Sequence, residues 1–90
     1  MNETKLGQMV IATAGRDENK KFLITCIIND QYVYISDGDT RKLENPKKKK
    51  LKHLRLTKHI SEEISQRLQQ KLNVTNNDIC KYIKSLDSYR

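Results

Sequence analysis

Four consecutive lysines, Lys47, Lys48, Lys49 and Lys50, follow the single proline of the chain in the stretch PKKKKLKHLR. Neighbouring ammonium groups repel by roughly half a kcal/mol per close pair in water before salt screening. Without a polyanion, the run contributes only repulsion. With one, each neutralised phosphate releases counterions, and the crowding becomes a source of affinity. The chemistry these residues point to is anion binding.

The other residues capable of chemistry do not assemble into a reactive set. His53 and His59 stand six positions apart, with no cysteine or further histidine at ligand spacing. Cys26 and Cys80 are separated by 54 positions, whereas zinc needs clustered soft ligands. Asp37-Gly38-Asp39 resembles half a calcium loop but lacks the alternating acids and distal glutamate, so it reads as a hairpin turn. Gly7, Gly15 and Gly38 are too scattered to cradle a phosphate, and no base is placed beside a nucleophile in a known motif. No enzymatic activity, metal or cofactor is expected.

Composition narrows the class further. The chain has 90 residues, 36% of them hydrophobic, which predicts one small domain with a modest core. No apolar run approaches the roughly 20 residues needed to span a bilayer. The opening residues MNETKLGQ lack a basic region followed by an apolar one, so no secretory signal is expected and the predicted location is cytoplasmic. Both cysteines lie inside apolar patterns and are expected to be buried free thiols.

The net charge of +7 is concentrated. Residues 1–40 balance at −2 and residues 59–90 at +1, whereas residues 41–58 carry +8, with Glu44 as their one acid. The excess is a local patch comprising Arg41, Lys42, the lysine run, Lys52, Arg55 and Lys58. Nucleic acid is the partner that best fits it, with a nuclear address or an acidic membrane anchor as other uses of polybasic segments. The expected helices are nearly neutral and would not enter a major groove. Strands with a lysine loop suit backbone and shape recognition of folded RNA. Tyr32 and Tyr34 fall on one face of a strand, where packing of at least one is favoured over base stacking.

The elements that must position this patch are short strands. LGQMVIATA is β-prone, and KFLITCIIND is apolar on both alternating faces: Phe22, Ile24, Cys26 and Ile28 on one, Leu23, Thr25 and Ile27 on the other. QYVYISD follows the turn formers Asn29 and Asp30, giving a hairpin. TRKLEN and LKHLRLT read as two basic strands, the second anchoring the far end of the lysine run from Leu51. Five strands with tight turns predict a small antiparallel barrel. The period then changes: Ile60, Ile64, Leu68 and Leu72 recur every fourth residue, with Ser61 as a cap, until Asn73 breaks the pattern. A second helix is expected over NNDICKYIKSL, capped by Asn76 or Asn77. Both stripes are expected to cover the outer apolar face of the barrel. The predicted organisation is a barrel over 1–58 and a helical extension over 59–90.

GQMVIATAGRDENKKFLITCIINDQYVYISDG, an apolar strand, a Gly-Arg-Asp turn, a basic pair and another apolar strand, resembles a KOW motif. The continuation TRKLENPKKKKLKHLRLT resembles the archaeal and eukaryotic large-subunit ribosomal protein of the fourteen-e type and its bacterial KOW-domain relatives. The likeness spans about residues 6–57, and the helical tail is more loosely similar to the family's C-terminal extension. Gly15 falls where the backbone must turn sharply, and Asn19 stands where many members carry a second glycine. Asparagine tolerates the left-handed conformation best among the non-glycine residues, so the departure is mild. The resemblance implies an SH3-like barrel of about five antiparallel strands, followed by two short helices, that docks on ribosomal RNA of the large subunit. Its implied contacts are Arg16, Lys20 and Lys21 at the turn, and Arg41, Lys42, Lys47, Lys48, Lys49, Lys50, Lys52, His53 and Arg55 in the basic extension. The other class it implies is a protein-interaction module contacting ribosomal proteins or RNA polymerase through its apolar surface.

Overall fold

A computed structural model of the chain describes residues 4–86. Its elements are β1 (Gln8–Ala12), β2 (Lys21–Ile27), β3 (Tyr32–Ser36), β4 (Lys47–Lys50), a 3-10 turn (Leu51–His53), β5 (Leu54–Ile60), α1 (Glu62–Gln69) and α2 (Asn76–Leu86). The five strands form one sheet in the order β4-β3-β2-β1-β5, with every pairing antiparallel. The inward residues of β1, β2, β3 and β5 (Val10, Ala12, Phe22, Ile24, Val33, Ile35 and Leu54) meet in one cluster. A single sheet buries its own face in this way only by curling, which makes the fold barrel-like.

The opposite face of the sheet carries the second core. Met9 and Leu23 are buried against Ile64 of α1 and Ile79 of α2, with Leu43, Leu68 and Ile83 packed around them. The two-faced apolar pattern of β2 is therefore matched by the helical layer, as expected. It ends at a bulge between Ile24 and Cys26. Beyond the bulge Cys26 pairs with Tyr34 and Ile27 with Val33, so Cys26 moves to the face of Leu23 and leaves that of Phe22. Cys26 is exposed and Cys80 only half-buried, which corrects the expectation of two buried thiols; both are free.

Tertiary contacts also redraw several boundaries. Residues 40–45 do not form a strand. The Leu43 N–H donates to Asn76 Oδ1 at 2.8 Å, and Asn76 Nδ2 donates to Glu44 Oε1 at 2.7 Å, docking this segment on α2 instead. Residues 51–53 turn, so β5 starts at Leu54 and runs through Ile60, which belongs to the strand and not to a helical stripe. Ser61 caps α1 as expected, its Oγ accepting from the Ile64 N–H at 3.2 Å. The helix ends before Asn73: Lys71 adopts φ 58°, and the N–H groups of Lys71 and Leu72 donate to Leu68 O and Arg67 O. This double closure turns Leu72 out into solvent, 56% exposed. The cap of α2 is Thr75, not an asparagine. Its Oγ1 accepts from the Asp78 N–H at 3.1 Å while Asp78 Oδ2 accepts from the Thr75 N–H at 3.0 Å, a reciprocal capping box.

Candidate nucleic-acid interface

The lysine run is a strand, not a loop. Lys47–Lys50 form β4, the edge of the sheet, in register with Tyr32, Val33, Tyr34 and Ile35 of β3. Side chains alternate along a strand, and directly opposed residues share a face. Lys48 and Lys50 therefore stand with Tyr34 and Tyr32 on the outer face, and Lys47 and Lys49 on the face of Ile35 and Val33. The run is thus not a single-faced patch: the pleat divides it into two pairs.

The outer pair gathers around one ring. Lys48 Nζ lies 4.7 Å and Lys50 Nζ 5.8 Å from the centroid of Tyr32. Contacts of this kind contribute about 0.5–1 kcal/mol each at exposed sites. They hold both ammonium groups against one ring. Tyr32 and Tyr34 are both half-buried. Among the described residues, none of Lys47–Lys50 forms an ion pair with a carboxylate.

The inner pair reaches toward the β1–β2 turn. Lys49 Nζ donates to Ala14 O at 3.2 Å, beside Gly15. The turn itself has the backbone anticipated from its residues, with Gly15 at φ 83° and Asn19 at φ 71°. It closes through Asn19 N–H to Ala12 O at 2.7 Å and Ala12 N–H to Lys20 O at 3.0 Å. Arg16 projects from it exposed.

Arg41 is placed differently from the other basic residues. Its Nη2 lies 3.0 Å and its Nε 3.3 Å from Asp17 Oδ2, and Asp17 is buried. Lys20 Nζ approaches the other Asp17 oxygen at 3.8 Å. The carboxylate of the Gly-Arg-Asp turn is thus neutralised from inside the chain, and Arg41 fastens that turn to the β3–β4 connection. Nearby, Asp37 anchors the connection: its Oδ1 accepts from the N–H groups of Asp39 and Arg41, and its Oδ2 from Thr40 Oγ1 at 2.6 Å. Burial pushes the Asp37 carboxyl up, but these hydrogen bonds outweigh it and hold the group below its ordinary value.

The remaining predicted contacts spread around the barrel. Lys42, Lys52 and Arg55 are exposed, and Lys21 and His53 are half-buried. Among the described residues, no group of three or more His, Cys, Asp or Glu gathers to hold a metal. No helix of the described chain is long and apolar enough to cross a membrane. Lys58, which belongs to the basic segment but not to the contacts the resemblance implies, and His59, which neither reading named as a contact, both project from β5 into solvent.

The arrangement is a small barrel bearing basic side chains on several faces, with two of them grouped over an aromatic ring. No protein-family model matches the sequence. It is similar to the Bacillus subtilis (strain 168) protein described as "Putative ribosome-binding protein YbzG", with 31% identity over 71 residues. That similarity covers 79% of this chain and 96% of the relative. The chain therefore belongs to the family of YbzG.

Proposed function

We propose that this protein is a non-enzymatic, ribosome-associated RNA-binding protein of the KOW type, working in the cytoplasm and docking on ribosomal RNA of the large subunit. The observation that carries the reading is the pair Lys48 and Lys50 grouped over Tyr32 on an edge strand, without a carboxylate partner among the described residues. A phosphate bound by the two ammonium groups would relieve their repulsion and release counterions. The ribosome-binding description of the Bacillus subtilis relative supports the same partner for this chain. The left-handed Gly15 and Asn19 support the KOW assignment of the β1–β2 turn, from which Arg16 reaches outward. Arg41 acts in this reading by positioning the turn through Asp17.

Co-sedimentation with purified Bacillus subtilis ribosomal subunits tests this. Binding to the large subunit that is lost after nuclease treatment and in high salt is the expected result. With about six phosphates neutralised, the log–log dependence of affinity on salt has a slope of roughly −4. A flat dependence contradicts phosphate docking.

A second reading, a module contacting ribosomal proteins or RNA polymerase, is favoured by one feature. Ile27 and Ile28, at the end of β2, are 40% and 39% exposed side by side. Association that survives nuclease treatment and is abolished by Ile27→Ser with Ile28→Ser supports this alternative.

A further inference from the structure

We propose that a bulge in β5 builds a second RNA-contacting groove, lined by Arg55, Lys58 and His59, that takes the phosphate backbone of the same RNA. The inference rests on the RNA-binding reading above. It begins with a register defect: Gln8 pairs with Ile60 and Val10 with Leu56, so β1 advances two residues while β5 advances four. Thr57, Lys58 and His59 thus stand opposite Met9 alone, two residues more than a regular ladder accommodates.

Two polar side chains brace this bulge. Thr57 Oγ1 donates to Met9 O at 2.6 Å and accepts from the His59 N–H at 3.2 Å. The buried Gln8 donates from Nε2 to Thr57 O at 2.8 Å, while its Oε1 accepts from the Lys5 N–H at 2.9 Å. A bulge held from both sides re-aims side chains in a fixed way. Here it projects Lys58 and His59, both exposed, beside Arg55, which pairs with Ile11 across the sheet.

The result is an open groove of about 470 Å³ whose walls include Arg55, Lys58 and His59 and whose floor includes Met9 and Ile11. No carboxylate is among its described lining residues. Cations on the walls and an apolar floor match a nucleotide, with phosphate to the cations and a sugar or base face to the floor. A peptide adding as a strand is disfavoured, because the bulge breaks the regular edge such addition needs. The groove lies at the β5 end of the sheet and Lys48 and Lys50 at the β4 end, with the helical layer over Leu23 and Met9 between them.

The test uses the full chain and protein-free large-subunit ribosomal RNA from Bacillus subtilis, with affinity measured from about 50 to about 200 mM salt. Arg55→Gln with Lys58→Gln is expected to reduce the magnitude of the salt slope by about 1.4–1.8, the loss of two phosphate contacts. Thr57→Val, which removes the brace and no charge, is expected to reduce it in the same direction while the fold, followed by circular dichroism, is retained. Lys48→Gln with Lys50→Gln should lower the slope independently, so that all four changes add. Wild-type slope and affinity in Arg55→Gln/Lys58→Gln, alongside weakened binding in Lys48→Gln/Lys50→Gln, overturn the groove and leave the RNA reading standing. If the unaltered chain does not bind this RNA, the RNA reading fails and the groove falls with it. An effect of Arg55→Gln/Lys58→Gln seen only on nuclease-resistant association assigns the groove to an acidic protein and also overturns the proposal.

Discussion

The guanidinium of Arg41 grips the buried carboxylate of Asp17 across 24 positions of sequence, with Nη2 3.0 Å from Oδ2. The contact joins the β1–β2 turn to the β3–β4 connection, the two irregular segments that flank the lysine strand. Its worth lies less in attraction than in what its removal leaves behind, an acid out of water without its main counter-charge.

Arg41→Ala is accordingly expected to cost about 2 kcal/mol, a fall of roughly 8–16 °C in melting temperature for a domain of this size. Asp17→Asn with Arg41→Gln, which removes both charges, should cost less than Arg41→Ala alone. Thermal unfolding of the variants checks the order. Equal losses would mean that the pair contributes little beyond its packing.

Two glycines with nearly the same backbone should respond differently. Gly38 has φ 79°, and a Cβ there would run into the Asn76 carbonyl oxygen where the β3–β4 connection meets α2. Gly15 has φ 83°, but its added Cβ would meet only Lys49 Nζ at 3.4 Å, the mobile end of a long side chain. Gly38→Ala is expected to cost at least about 3 kcal/mol and Gly15→Ala about 1 kcal/mol, the latter from backbone strain. Urea unfolding of the two variants measures the gap.

Ser36 offers a change in the stabilising direction. Its side chain is wholly buried, and its Oγ has no hydrogen-bond partner among the described residues. An unsatisfied buried hydroxyl costs about 1–3 kcal/mol relative to one that is paired. Ser36→Ala should therefore raise the melting temperature, and a clear decrease would reveal a partner for this hydroxyl.

The pleat of β4 predicts unequal roles for its lysines. Lys48→Gln with Lys50→Gln should weaken ribosomal RNA binding more than Lys47→Gln with Lys49→Gln, because only the first pair stands over Tyr32. Replacing all four should weaken binding greatly while the fold persists. Tyr32→Phe should retain the affinity that Tyr32→Leu loses, since the ring face holds the ammonium groups. Filter binding at fixed salt distinguishes these outcomes, and equal losses from the two lysine pairs would contradict the two-faced arrangement.

Acid should loosen the β3–β4 connection and the start of α2. The Asp37 carboxyl feels burial, which pushes it up, and hydrogen bonds from Thr40, Arg41 and Asp39, which bring it below its ordinary value of 3.8. Backbone and side-chain hydrogen bonds with Thr75 lower Asp78 likewise. For a carboxyl lowered in the folded state, the stabilisation is fully present above the ordinary value and is lost as pH falls through the folded one. Melting temperature should thus decline between about pH 4 and about pH 2, and Asp37→Asn should make that decline shallower. An unchanged acid profile in Asp37→Asn would show that the decline has another origin.

What the sequence determined alone was whatever depends on neighbours a few positions apart. The bounds of α2 and the Ser61 cap follow from local period and capping chemistry, and the resemblance to the KOW turn pointed to the left-handed Gly15 and Asn19. The concentration of charge in residues 41–58 was equally visible, because counting needs no coordinates. Tertiary structure alone decided where each basic side chain points and what it meets. The pairing of β4 with β3 split the lysines between two faces, and the bulge after Ile24 moved Cys26 to the other side of the sheet. Arg41 found Asp17, and Thr57 found Met9. Strand register fixes the face of every side chain, and it is set by partners far along the chain, so no local pattern contains it.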